Sequence, residues 1–244
     1  MHVLFNQAVR WEMLERNPIT LVKQSGKRLK TPHALKPEEF NALVVELRKP
    51  YRTMATTATA LGLRVCELLS LRWEDNNFED LTISVKRSIV AGETNPTKTT
   101  ASEGTQPMDL GLAEILLHHK ERATFKADED YVFAGLTGKW RWKDSILADY
   151  LKPAAARGKI GKVGWHTFRH TYRALLKRCG TQLEVQKELM RHSDLRVTMG
   201  YGVEWDVAVA NREANRRVFA ILLNRQKWYE VVLILIGGFG VKLF

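Results

Sequence analysis

The stretch HTFRHTYRALL, residues 166–176, holds two histidines and an arginine within five positions of a predicted helix. Residues three or four apart share a helix face, so His166 and Arg169 are predicted to point the same way. His170 lies four residues after His166. Two interpretations stay open for this helix: its polar residues bind something charged, or they only share a solvent-exposed face.

A His-x-x-x-His pair also suggests zinc. Position 167 is threonine rather than the glutamate of a zinc protease, however, and the sequence offers no third ligand nearby. We therefore expect no metal site here. For His170 we favour a structural role, with the ring hydrogen-bonded in the core beneath the helix.

The segment GLRVCELLSLRWED, residues 62–75, places Arg64 at the start of a second helix, directly after a glycine-containing break. Backbone N–H groups and the positive end of the helix dipole lie there, and both favour a bound phosphate. Glu67, three residues on, is able to hold the guanidinium in a fixed pose. The alternative is an ordinary surface ion pair, which contributes little to stability.

The segment LMRHSDLRVTMGYG, residues 189–202, contains His192 and, nine positions later, Tyr201. A single tyrosine near a helix end is usually a packing residue. A tyrosine that follows two arginines and two histidines of this kind is a candidate nucleophile.

The rest of the chain predicts an α+β fold, mainly α-helical with one small antiparallel β-sheet. Alternating apolar and polar residues indicate a strand at 81–85, and further strands are expected within 86–110, one of them near 106–110. Helical periodicity continues after residue 111. Earlier helices are predicted at residues 3–16, 35–49, 51–61 and 64–73.

Composition and charge narrow the class of protein. The 244 residues are 45% hydrophobic and 27% charged, which is typical of a soluble globular protein. A formal net charge of +11 favours a polyanionic partner, with nucleic acid as the first choice. The two cysteines, Cys66 and Cys179, form no disulfide framework, so a reducing, cytoplasmic location is expected.

Neither end of the given sequence is expected to act as a signal peptide or to span a membrane. Residues 1–18 have polar and charged residues where a signal peptide needs an apolar core. Residues 231–244 are nearly all apolar, but this segment is too short to cross a bilayer and is interrupted by Gly237 and Gly238. It is expected either to pack on the body or on a neighbouring subunit, or to be an altered end that aggregates.

Taken in order, five residues resemble the signature of the tyrosine recombinases, the phage integrase family: Arg64, His166, Arg169, His192 and Tyr201. The resemblance covers about residues 34–215. Lys98 matches the family's lysine on a turn between two strands of the small sheet. Two departures stand out: residues 104–108 read GTQPM where a basic residue and Val-Pro-Leu are usual, and Arg191 replaces the glycine that usually precedes the second histidine.

The resemblance implies a domain organisation. Residues 1–22 resemble the terminal helix of a truncated core-binding (SAM-like) domain, and residues 23–34 form a basic linker. Residues 35–224 resemble the catalytic domain. Residues 225–244 form the apolar tail, which does not look like the family's C-terminal helix.

The resemblance also implies a reaction: site-specific cutting and rejoining of DNA through a 3′-phosphotyrosine. Arg64 and Arg169 would neutralise the phosphate, Tyr201 would attack it, His166 would act as base and Lys98 as acid. His192 would hydrogen-bond the phosphate, and Glu67 would support Arg64. No cofactor, metal or ATP is expected, since the sequence has neither a two-metal carboxylate cluster nor a phosphate-binding Gly-Lys-Ser/Thr loop.

Double-stranded DNA is the expected partner, bound mostly through its backbone, with the family's tetramer on two duplexes and no membrane contact. Other interpretations stay open: a catalytically silent DNA-binding remnant of an integrase, a type IB topoisomerase-like enzyme and, less favoured, a basic DNA-binding repressor. The basic residues chosen as candidate DNA contacts are Lys23, Lys27, Arg28, Lys30, Lys162 and Arg173.

Overall fold

Residues 1–22, 33–90, 92–96, 104–191 and 207–222 are described by the computed structural model of the chain. They belong to two units, Met1–Pro32 and His33–Phe244, which are treated separately. In the first unit helix α1 spans His2–Arg10 and a 3₁₀ turn spans Pro18–Leu21. The predicted domain boundaries at residues 22, 34 and 224 stay predictions.

Helix α1 is shorter than the sequence pattern predicted, and its extension to residue 16 was wrong. Glu12 adopts a left-handed conformation with φ of 58°. The Glu12 N–H donates to the Val9 carbonyl, and the Met13 N–H donates to the Ala8 carbonyl. This pair of bonds is the Schellman termination of a helix, here built with glutamate in the position that glycine usually takes.

Nine further helices lie in the described part of the second unit. Two of them, α6 and α7, are joined by a π-helical segment at Leu147–Leu151 and form one continuous rod. The bounds are α2 Pro37–Glu46, α3 Tyr51–Leu61, α4 Val65–Ser70, α5 Leu110–Arg122, α6 Lys143–Ile146, α7 Lys152–Arg157, α8 Trp165–Arg178, α9 Leu183–Met190 and α10 Val207–Leu222.

Helix α3 is the centre of this unit, and every one of its residues is buried. It packs against α5, α8 and α10. Several of its buried residues are threonines, whose hydroxyls would be costly without hydrogen bonds. Three of them donate to the carbonyl four residues earlier, at 2.8–3.1 Å: Thr56, Thr57 and Thr59. A helix with several polar side chains is thereby able to occupy the core.

The strands form two small antiparallel sheets. Strands β1 (Asn76–Asn77), β2 (Thr82–Val85) and β5 (Gly104–Pro107) make one sheet in the order β1-β2-β5. Strands β3 (Arg87–Val90) and β4 (Glu93–Pro96) make a hairpin. The strand predicted at 81–85 is confirmed as β2, whereas the strand expected near 106–110 is β5 at 104–107, because Leu110 already begins α5.

The expected fold class is confirmed: the second unit is mainly helical with a small antiparallel β component. The predicted helix at 35–49 is confirmed as α2 with Pro37 in its first turn, whereas the helix expected at 64–73 ends at Ser70. Within the described ranges, no helix combines the length and the apolarity needed to cross a membrane.

Candidate active site

Arg64 stands at the start of α4, where the sequence predicted it. Glu67 reaches back one turn, and its carboxylate accepts from the Arg64 backbone N–H at 2.9 Å and from the Arg64 Nη1 at 2.7 Å. The Glu67 side chain is 3% exposed and that of Arg64 is 36% exposed. The Arg64 guanidinium is therefore held from the protein side and still open to solvent at a helix N-terminus.

Arg169 enters the same region from α8, and it is buried. Its Nη1 donates to the Gly62 carbonyl at 2.5 Å, and its Nη2 donates to the Met190 carbonyl. Gly62 ends α3 and precedes Arg64 by two residues, while Met190 ends α9. Arg169 thus joins α8 to the ends of α3 and α9, and these two bonds use two of the five N–H donors of a guanidinium.

A third arginine, Arg191, completes the cluster. It directly follows α9, its side chain is 4% exposed, and its Nη2 lies 2.5 Å from the Glu67 Oε2. Sequence reasoning noted Arg191 only as a departure from the family pattern and missed its position beside Glu67. The sequence signal that could have indicated this position is the arginine itself, a long charged side chain where the family usually has glycine.

The cluster has more positive than negative charge in a region of low solvent access. Burial would raise the pKa of Glu67, but Arg191 and then Arg64 outweigh it, and the pKa lies below its ordinary value. Burial, together with the charge of Arg64, lowers the pKa of Arg169 to about 10. Three guanidinium groups around one carboxylate favour an additional anion, such as a phosphate.

The exposed face of α8 carries the other candidates. His166 is exposed, as are Lys162 in the preceding loop and Arg173 further along α8. His166 and Arg169, predicted to share a face, therefore lie in different environments, since one is exposed and the other buried. His170 is half-buried rather than in the core; its ring centre is 6.3 Å from that of His166, and burial and then His166 lower its pKa.

A buried hydrogen-bond chain joins the helices that carry the cluster, and sequence reasoning did not predict it. The Tyr172 hydroxyl on α8 donates to the Asn215 side chain on α10, whose Nδ2 donates to the Pro107 carbonyl of β5 at 2.7 Å. The Tyr172 ring also lies against Gly62, where an added Cβ would come within 2.2 Å of it. These contacts fix α8, α10, β5 and the end of α3 relative to one another.

Several sequence-predicted residues lie outside the described residues. Lys98 falls between β4 and β5, and His192 and Tyr201 fall between α9 and α10. Of the expected site, the structure thus brings together Arg64, Glu67 and Arg169. The basic residues expected in the linker also lie outside the described ranges: Lys23, Lys27, Arg28 and Lys30.

Comparison with known proteins identifies the family. The model of the Phage integrase family matches residues 33–204. The chain belongs to the phage integrase family. The resemblance drawn from the sequence motifs is therefore confirmed, and the family match does not favour the topoisomerase alternative.

Individual relatives agree with this assignment. The ICEBs1 integrase of Bacillus subtilis (strain 168) is 27% identical over 209 residues, which cover 80% of this chain and 57% of the relative. A tyrosine recombinase XerC-like protein of Caldanaerobacter subterraneus subsp. tengcongensis is 28% identical, over 81% of this chain and 58% of the relative. The chain thus spans somewhat more than half the length of these two relatives.

Solved structures share the fold at lower identity. The Tn1549 transposon integrase, in complex with a circular intermediate DNA, matches with a TM-score of 0.67 and 16% identity, covering 79% of this chain and 69% of that one. The integrase from mycobacterium phage Brujita matches with a TM-score of 0.58 and 19% identity, covering 91% of this chain and 74% of that one. At these identities the structures establish the fold alone.

Proposed function

We propose that the chain cuts and rejoins double-stranded DNA as a site-specific tyrosine recombinase, through a covalent 3′-phosphotyrosine and without metal or ATP. The observation that carries the proposal is a cluster built from two helices far apart in sequence: Arg64 of α4 pairs with Glu67, and the buried Arg169 of α8 donates to the carbonyl of Gly62, two residues before Arg64. Family membership supports the same chemistry. No observation favours the repressor alternative, which gives no reason for such a cluster.

The arginines supply the electrostatic part of the reaction. A phosphodiester gains negative charge on its non-bridging oxygens as a nucleophile approaches, and guanidinium groups stabilise that charge through paired hydrogen bonds. Arg64 meets the phosphate from the start of α4, where Glu67 holds its guanidinium and its side chain is 36% exposed. Arg169 adds to the positive potential at the phosphate from the buried side of the site, because burial leaves its charge poorly screened by solvent.

Tyr201 is the proposed nucleophile. Its oxygen forms a bond to phosphorus while the bond from phosphorus to the 5′-oxygen breaks, so one DNA strand is cut. The energy of the broken phosphodiester bond is conserved in the new phosphotyrosine bond. The phenol proton goes to His166, since a tyrosine with an ordinary pKa of about 10 needs a base. Lys98 donates a proton to the departing 5′-oxygen, and His192 hydrogen-bonds the phosphate. Reversal of the step by another 5′-hydroxyl reseals a strand.

The DNA lies along the exposed face of α8, where Lys162 and Arg173 contact its backbone. The basic linker residues Lys23, Lys27, Arg28 and Lys30 contact the backbone elsewhere. We further propose that four chains act on two duplexes, and that the segment 1–22 derives from the end of a core-binding domain. A cytoplasmic location follows from a DNA substrate.

Covalent capture tests the proposal. Purified chain is mixed at low salt, with EDTA present, with a pool of labelled duplexes in which randomised candidate sites are each interrupted by a nick. Cutting next to the nick releases a short fragment, so resealing fails and the covalent product accumulates. A denaturing gel should show a protein–DNA adduct with the parent chain and none with Tyr201→Phe.

The controls separate binding from chemistry. Arg64→Ala should bind the same duplexes and form the adduct at least about 10²-fold more slowly, the scale for loss of one preorganised charge-stabilising group. An adduct that persists in Tyr201→Phe would refute the mechanism. An adduct that forms in a parallel reaction without EDTA but not in its presence would also refute it. Tight DNA binding without any adduct would support the silent remnant.

A further inference from the structure

The Arg191 side chain occupies a position that is expensive for an arginine. Its backbone φ is +48°, in the left-handed region that favours glycine. Its guanidinium is almost wholly buried, and burial lowers the pKa of Arg191. A strained, desolvated arginine persists only where the surrounding structure holds it, and such residues concentrate at functional sites.

The surroundings of Arg191 include strand β5. Gly104 begins β5 and lies beside the Arg191 stem, since an added Cβ there would be 3.4 Å from the Arg191 Cδ, an ordinary van der Waals distance. Gln106, two residues further along β5, donates to the Leu189 carbonyl at the end of α9, which ties β5 to the turn that carries Arg191. Within the described ranges, the Arg191 Nε and Nη1 have no hydrogen-bond partner.

The remaining nitrogen, Nη2, makes the ion pair with the Glu67 Oε2. That same oxygen accepts from the Arg64 backbone N–H, and the other carboxylate oxygen accepts from the Arg64 Nη1. Glu67 is thus a bridge between a buried guanidinium and a half-exposed one. Among the charges around Glu67, Arg191 is the largest influence that keeps its pKa low.

We propose that Arg191 is a positioning residue for DNA cleavage: it holds the Glu67 carboxylate in a buried ion pair, and that carboxylate fixes the Arg64 guanidinium where the scissile phosphate binds. The role rests on the proposed function. Arg191 itself need not touch DNA, since its side chain is 4% exposed. Its effect on the reaction passes through Glu67 and Arg64.

Without Arg191, Glu67 would lose its main counter-charge and remain buried. Its pKa would then rise, so that acidification would protonate it and free the Arg64 guanidinium. The described groups that face Glu67 are Arg64 and Cys66 from α4, Arg169 from α8 and Arg191 from the end of α9. Burial raises the pKa of the Cys66 thiol, so in this set Glu67 alone titrates below neutral pH.

The experiment measures the rate of adduct formation between pH 5.5 and 8.5 for Arg191→Met, Arg191→Lys, Glu67→Gln and the Arg191→Met/Glu67→Gln double variant. Arg191→Met should slow the reaction about 10- to 100-fold, the scale of a misplaced catalytic group, with a deficit that grows as pH falls. Arg191→Lys should restore part of the rate. In the Glu67→Gln background, Arg191→Met should add little further loss and no further pH dependence.

A matched control uses another arginine–glutamate pair. Arg157 and Glu46 form an exposed ion pair with 2.8 Å between Nε and Oε2, so Arg157→Met makes the same chemical change on the surface. It should leave the rate and its pH profile unchanged. A deficit in Arg191→Met that is equal at every pH and additive with Glu67→Gln would reduce Arg191 to a structural role and overturn the inference.

Thermal unfolding separates this inference from the proposed function. In Arg191→Met the folded chain would keep a proton on Glu67 that the unfolded chain releases above about pH 4.3, so stability falls as pH rises. Arg191→Met should therefore lower Tm more at pH 7 than at pH 4.5. In the Glu67→Gln background, Arg191→Met should lower Tm by the same amount at both pH values. A parent chain without adduct refutes the proposed function and the positioning role together, whereas a pH-independent loss of Tm refutes the ion-pair basis alone.

Discussion

Replacing Gly62 by alanine tests how closely α3 and α8 meet beneath the arginine cluster. Gly62 has a φ of +60°, and a Cβ there would come within 2.2 Å of the Tyr172 Cδ1 and 2.9 Å of its Cε1. The left-handed backbone costs alanine about 1–2 kcal/mol. Displacing a fully buried ring adds about 1–3 kcal/mol. The expected loss of unfolding free energy is therefore about 2–5 kcal/mol.

Gly180 provides the matched control. Its φ is +69°, but no atom lies within 4 Å of the position that a Cβ would occupy. Gly180→Ala should thus show the backbone cost alone, about 1–2 kcal/mol. At about 2–4 °C per kcal/mol for a chain of this size, Gly62→Ala should lower Tm by about 4–20 °C and Gly180→Ala by about 2–8 °C.

The assay is thermal and urea unfolding followed by circular dichroism, with the three proteins compared at one pH. The two alanines have the same backbone penalty, so the difference between them isolates the contact with Tyr172. If Gly62→Ala were no more destabilising than Gly180→Ala, the close packing of α3 against α8 would be refuted. Because the Gly62 carbonyl accepts from Arg169, the same substitution should also slow adduct formation.

Three further predictions concern the supporting structure and DNA binding. Asn215→Ala leaves the Tyr172 hydroxyl and the Pro107 carbonyl unpaired, so it should lower the free energy of unfolding in urea by about 2–4 kcal/mol. Tyr172→Phe should lower it by about 1–2 kcal/mol. The reverse order would contradict the described chain of hydrogen bonds. Burial, then Lys49 and Arg141, lower the pKa of His119 although it donates to the Val132 carbonyl. The unfolded chain thus binds the extra proton below about pH 6.5, and acidification from pH 7.5 to 5 should destabilise the parent more than His119→Gln. In DNA binding titrations, Lys162→Ala and Arg173→Ala should each reduce the slope of log affinity against log salt by about 0.9, and unchanged slopes would remove α8 from the interface.

Local features of the site were predictable from the sequence, and distant ones were not. Arg64 and Glu67 are three residues apart at a helix start, so helix geometry alone brings them together. Arg191 reaches Glu67 across 124 residues, and Tyr172 reaches Asn215 across 43, so these contacts depend on the packing of whole helices. The same holds for the burial of Arg169, since spacing indicates which residues share a face but not how deep that face lies.

The end of α1 illustrates a different limit. The apolar pattern continued to residue 16, but glutamate at position 12 took the left-handed conformation that usually marks glycine. Glycine is the ordinary sequence signal for that termination, and here it was missing. The last strand also ends earlier than predicted, at Pro107 rather than at residue 110. The Asp109 side chain accepts from the Gly111 N–H and caps α5, so the helix already begins at Leu110.

The central claim is that Tyr201 forms a covalent bond to DNA, and peptide mapping of the trapped adduct tests it most directly. After nuclease and protease digestion, mass spectrometry should find the residual nucleotide on the peptide that contains Tyr201, joined through its 3′-phosphate. Attachment to another residue, or through a 5′-phosphate, would contradict the account.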